Sequence, residues 1–121
     1  MYIETKDAPA AIGAYSQGVM KRDTLYVSGQ LPLTTDGTLK TDIEDATQQC
    51  LNNVLAVVKA AGLRKEDIVR CGIFLKNMED FSAANELYGR FFGNHKPARA
   101  AVGVAALPKG ACIEIDAVAE R

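Results

Sequence analysis

The sequence predicts an α+β fold: a mixed β-sheet with two helices on one face. Three observations lead there. The elements run strand, strand, helix, strand, helix, strand, strand. Residues 41–61 carry an unbroken apolar stripe at helical spacing, and residues 111–119 alternate with a period of two. Packing two helices on one sheet face buries both apolar stripes with the fewest layers.

Residues 15–21 and 24–30 read as a hairpin around Arg22 and Asp23. The run Thr24-Leu25-Tyr26-Val27-Ser28 is rich in strand formers, and Gly29 and Pro32 end it. The clearest helix covers 41–61. Thr41 is placed to cap it, with Glu44 three residues on as a capping-box partner. Ala46, Cys50, Val54, Val57, Val58 and Ala61 form its stripe, and Gly62 is a natural stop. Residues 68–76 read as a strand centred on Ile73, Phe74 and Leu75. Residues 77–92 read as a second helix with Phe81, Ala84, Tyr88 and Phe91 on one face, closed by Gly93. Two strands follow, 99–106 and 111–119. In the latter, Ile113, Ile115 and Ala117 face one way, and Cys112, Glu114, Asp116 and Val118 the other.

At 121 residues and 48% hydrophobic content, a single domain over 1–121 is expected. Fourteen Lys plus Arg against fifteen Asp plus Glu leave a net charge of −1, and no long basic run occurs, which argues against a nucleic-acid partner. The three cysteines, Cys50, Cys71 and Cys112, are irregularly spaced without a CxxC, and His95 is the only histidine. No zinc-type ligand spacing exists, so no metal is expected, and the thiols read as reduced and mostly buried. No signal peptide or membrane-spanning stretch is visible; a cytoplasmic protein is the expectation. The sheet's second face, to which Ser28, Cys71, Ala101 and Cys112 are assigned, is too apolar for water. That predicts burial against another copy.

Arg99 is the only charged residue between Ala98 and Leu107. Its strand-face neighbours Ala101, Gly103 and Ala105 are tiny, which places a cation beside empty volume. A guanidinium there suits bidentate binding of a carboxylate or phosphate. An Arg at a strand end paired with a surface acid fits the same residues. Glu114 points away from its strand's apolar face. Partly apolar surroundings would raise its pKa into a range useful for acid–base work, though a solvent-facing Glu fits the same alternation. Tyr15 offers an aromatic wall with a hydroxyl, or a plain core tyrosine. Asn85 lies mid-helix between Phe81 and Tyr88, and composition alone does not separate a pocket role from a local one. No nucleophile elbow stands near any serine, and phosphate-cradling glycine patterns are absent.

The residues carry a resemblance. Asp7-Ala8-Pro9-Ala10-Ala11-Ile12-Gly13-Ala14-Tyr15-Ser16-Gln17-Gly18 and Val27-Ser28-Gly29-Gln30-Leu31-Pro32 form two motifs. Pro97-Ala98-Arg99, Leu107-Pro108-Lys109 and Ile113-Glu114-Ile115 form a third. Over nearly its full length the chain resembles the YjgF/Rid family, the reactive intermediate deaminases. The resemblance implies a chorismate-mutase-like subunit in a homotrimer with a central barrel, its clefts lying between neighbouring subunits. It implies hydrolysis of 2-imino acids and their enamine tautomers to 2-oxo acids and ammonia, a metabolite-damage-control role, with no cofactor. Arg99 would clamp the substrate carboxylate and Glu114 would position the attacking water. Tyr15, Ser28, Gly29, Asn85 and Ala101 would line the site.

Two departures stand out. Many members carry Cys where this chain has Ala101, at a position the family uses largely through its main chain. Many carry Glu where this chain has Gly103. Two other functions compete: a non-catalytic trimer that binds a 2-oxo acid or amino acid as a signal, and an endoribonuclease. The balanced charge disfavours the second.

Overall fold

The computed structural model describes residues 1–121. The strands are β1 (Tyr2–Ile3), β2 (Gly18–Lys21), β3 (Thr24–Gln30), β4 (Ile68–Leu75), β5 (Ala98–Gly103) and β6 (Ile113–Glu120). The helices are α1 (Ile43–Ala60) and α2 (Phe81–Phe92). The expected α+β architecture is present: one six-stranded mixed sheet in the order β1-β2-β3-β6-β4-β5. Only β4 and β5 pair in parallel, joined through α2; every other pair is antiparallel. Parallel neighbours need such a crossover, whereas β2 and β3 need only the Arg22–Asp23 turn.

Both helices cover the same sheet face. α1 lays Ala46, Cys50, Leu51, Val54, Val57 and Val58 on Leu25, Val27, Ile73, Ile113 and Ile115, all buried in one core. The helix starts one residue later than the Thr41 cap requires. Asp42 is the N-cap instead, its carboxylate accepting from the Asp45 N–H at 3.2 Å. Glu44 and Asp45 then sit in the first turn, where the helix dipole favours negative charge. Gly62 (φ 78°) and Gly93 (φ 63°) follow the two helices in the left-handed region, as their sequence positions suggest. The second helix is shorter than 77–92: Met78–Asp80 forms a 3-10 turn before α2 begins. The strand expected over 99–106 pairs only as far as Gly103.

The last strand sits in the middle. β6 pairs with β3 on one side and β4 on the other, so its alternation sets the faces for the whole sheet. Ile113, Ile115, Ala117 and Ala119 are buried under the helices, while Glu114, Asp116 and Val118 face outward. Across the strands the outward set includes Tyr26, opposite Val118, and Phe74, opposite both Glu114 and Val102. Tyr26 is 53% and Val102 45% exposed. This face mixes exposed apolar Tyr26 and Val102 with the Glu114 and Asp116 carboxylates, and of the four residues assigned to it Ser28 lies there while the other three do not. Cys71 is fully buried on the helix side, and Ala101 and Cys112 pack against the core. A bulge between Ile68 and Arg70 shifts the parity of β4, so counting from Ile68 puts Cys71 on the wrong face.

Candidate active site

The sheet divides the expected site residues into two groups. Cys71 pairs with both Arg99 and Ala117, so Arg99 leaves the sheet on the helix side. There it meets α2. Phe81, Asn85 and Tyr88 stand at i, i+4 and i+7, which brings them onto one helix face. Arg99 Nη1 donates to Asn85 Oδ1 at 2.7 Å. The guanidinium carbon lies 4.9 Å from the Tyr88 ring centroid and 5.4 Å from that of Phe81. Arg99 itself is exposed on the edge strand. One N–H of its fork is occupied and the rest of the donor edge is open.

Glu114 belongs to the other face. β3 bulges between Val27 and Gln30, bringing Gly29 beside β6. The Glu114 carboxylate occupies the space a Cβ on residue 29 would take, a close approach that only glycine allows. Half-burial raises the Glu114 pKa above the ordinary 4.5, and the neighbouring Asp116 carboxylate adds to the rise. Asp116 covers Gly72 in the same way, and its Oδ1 is buried with no hydrogen-bond partner in the chain.

Ser28 adjoins Gly29 of this second group and ties down the loop that carries Tyr15 and Ser16. The Ser28 hydroxyl donates to the Ser16 carbonyl at 2.6 Å, and the Ser28 N–H to the Gln17 carbonyl at 2.9 Å, holding the 5–17 segment against β3. Tyr15 is 55% exposed in a loop rather than in a strand. It lines an open cleft of about 800 Å³ with Tyr2, Lys6, Ala11, Ser16 and Thr35. Neither Arg99 nor Glu114 borders that cleft.

Two groups of residues were missed at the sequence level. Gln17 is buried; its Oε1 accepts from the Thr5 N–H at 2.7 Å, and its Nε2 donates to the Thr5, Ala8 and Pro9 carbonyls. It clips the loop that carries Tyr15. A buried polar side chain gives no periodic signal, so composition could not mark it. The aromatic pair beneath Arg99 was visible as the apolar stripe of α2, but its use as a cation seat depends on which strand lies above it. Ala101 packs beside Ile73 on the helix side. At Gly103 an added Cβ would strike the Met78 side chain, so Met78 fills the space a larger residue would need. No three His, Cys, Asp or Glu side chains converge as a metal-ligand set. No helix is long and apolar enough to cross a membrane.

Residues 5–121 match the family model described as endoribonuclease L-PSP. The chain is 45% identical to the 2-iminobutanoate/2-iminopropanoate deaminase of Escherichia coli K12, the alignment covering 98% of this chain and 96% of that protein. It is 48% identical to the putative regulator AldR of Lactococcus lactis, over 98% of this chain and 95% of that one. The crystal structure of E. coli TdcF with bound serine superposes with a TM-score of 0.97 at 42% identity, covering all of this chain and 98% of that one.

Proposed function

The chain belongs to the endoribonuclease L-PSP family, which includes the YjgF and RutC proteins, and on that footing we propose that it hydrolyses 2-imino acids to 2-oxo acids and ammonia. The carrying observation is the state of Arg99. Its guanidinium is held by the Asn85 carboxamide and two rings, with its remaining donor edge open. Such a fork suits a planar carboxylate. The name of the E. coli relative and the serine bound to TdcF support a small amino-acid-like substrate.

In this reading Arg99 binds the carboxylate and orients the C=N carbon. Glu114, with its raised pKa, takes a proton from water as the oxygen attacks that carbon. Glu114 returns that proton to the nitrogen of the resulting amino alcohol, the C–N bond then breaks as the hydroxyl becomes the 2-oxo carbonyl, and the departing ammonia carries off the hydroxyl proton as ammonium. Positioning does most of the work, because a protonated imine is already electrophilic. Tyr15, Ser28, Gly29 and the Ala101 main chain line the pocket.

Arg99 and Glu114 leave opposite sheet faces, so one subunit does not present both to one substrate. The reading therefore includes an assembly, a homotrimer whose barrel is built on the outward face of the sheet. Exposed Tyr26 and Val102 and the unpartnered Asp116 oxygen support a covered face there. A single fold unit over 1–121, working in the cytoplasm, belongs to the same reading.

The test generates 2-iminopropanoate with an amino-acid oxidase and follows its loss. Acceleration by the wild type and its collapse in Arg99→Ala are expected. Wild-type protein that binds 2-oxobutanoate yet leaves imine decay at the background rate would instead favour a regulatory binder, the role named for AldR.

A further inference from the structure

Arg99 lies on an edge strand among residues too small to steady it. Ala101 and Gly103 share its strand face, and the side chain is solvent-exposed. A long side chain so placed samples many rotamers unless something outside the strand holds it. What touches it comes from α2: the Asn85 carboxamide at 2.7 Å, the Tyr88 ring at 4.9 Å and the Phe81 ring at 5.4 Å.

Tyr88 is the firmest of the three. It is 7% exposed, and its ring packs on Phe92 with centroids 4.8 Å apart. Its hydroxyl is buried, with the Cys71 thiol as its one polar neighbour and no oxygen or nitrogen partner. A thiol is a weak hydrogen-bond partner, so the hydroxyl holds the ring only loosely. What Tyr88 offers outward is the ring face, and that lies within cation–π range of the Arg99 guanidinium.

We propose that Tyr88 is a positioning residue. Its ring, seconded by Phe81, seats the Arg99 guanidinium in one plane so that the donor edge left free by Asn85 faces the substrate carboxylate. This rests on the reading of Arg99 as the carboxylate-binding group. It assigns Asn85 a duty toward Arg99 before any toward substrate. It also makes α2, which contributes no reacting group, the element that tunes affinity.

Tyr88→Leu removes the ring face; Tyr88→Phe keeps it and deletes only the hydroxyl beside Cys71. The probes are 2-oxobutanoate binding by calorimetry and imine hydrolysis by the intact protein. Tyr88→Leu should weaken 2-oxobutanoate binding and raise KM by about tenfold, with kcat changed far less, while Tyr88→Phe stays within about twofold of wild type. In an Arg99→Lys background, whose ammonium cannot stack as a plane, Tyr88→Leu should cost less than about twofold. Phe81→Leu, at a half-buried position, provides a milder variant with the same direction of effect.

Unchanged Kd and KM in Tyr88→Leu would overturn the proposal. So would an equal loss in Tyr88→Phe, or the same fold-loss with Lys at position 99. Should the wild type bind 2-oxobutanoate without hydrolysing imines, the deaminase reading falls while the Kd comparison still decides the role of Tyr88.

Discussion

The Glu114 carboxylate rests on the bare Cα of Gly29, across the bulge that interrupts the pairing of β3 with β6. The backbone at 29 needs no unusual dihedral, so space alone demands glycine there. Gly29→Ala is expected to push the Glu114 side chain aside. The fold should survive, with a stability loss of about 1–3 kcal/mol from overpacking. Imine hydrolysis should fall by about a hundredfold, the cost of misplacing a reacting group by an ångström. Thermal melts and initial rates on the same preparation check both halves.

Arg99 and Glu114 can be tested as residues of different subunits. Arg99→Ala and Glu114→Gln should each be inactive alone. Co-refolded at equal amounts, they should recover about a quarter of the wild-type rate, since random assembly joins an intact Arg99 to an intact Glu114 at about one cyclic interface in four. A mixture as inactive as its components would mean that both groups act within one chain.

Burial and the Asp116 charge raise the Glu114 pKa above 4.5, and the consequences have a definite sign. A water-activating carboxylate must be ionised, so the acid limb of kcat/KM should be displaced upward from that of an unperturbed glutamate and vanish in Glu114→Gln. Stability runs the other way. The folded state holds the Glu114 proton more tightly than the unfolded chain does. The associated stabilisation is therefore complete below 4.5 and is lost as pH rises through the raised value. Chemical denaturation across this range should show a decline in the wild type that Glu114→Gln flattens.

The start of α1 separates two adjacent residues. Asp42 accepts the Asp45 N–H, while no such bond joins Thr41 to the helix. Asp42→Ala should cost about 1 kcal/mol and Thr41→Ala close to nothing, read from urea midpoints.

That one-residue error illustrates what was legible in the sequence. Stripes such as Cys50, Val54, Val57 and Val58 gave α1 its face, and the Ile113–Ile115–Ala117 alternation gave β6 its inward side, because burial writes itself into periodicity. Caps differ by a single polar residue among several neighbours. The two-residue β1 is too short to carry any period. Strand order is a tertiary matter: nothing in residues 113–120 says that they insert between β3 and β4. Without that order Arg99, grouped with Ala101, and Glu114, grouped with Cys112, were assigned to one sheet face, and the structure separates them. The individual site candidates could be named, yet their placement on opposite faces could not. The bulge at Ile68–Arg70 hid the true side of Cys71 for the same reason, since a one-residue irregularity inverts every later assignment.

β6 carries the molecule's inner and outer surfaces on alternate residues, and neighbours on both flanks pin it in place. Substitutions there change one surface at a time. The loss or gain of a single residue would turn the strand inside out, sending Glu114 into the oil and Ile115 into the water. A one-residue change of length in β6 is therefore far more disruptive than a side-chain exchange, unless a bulge absorbs it as those in β3 and β4 do.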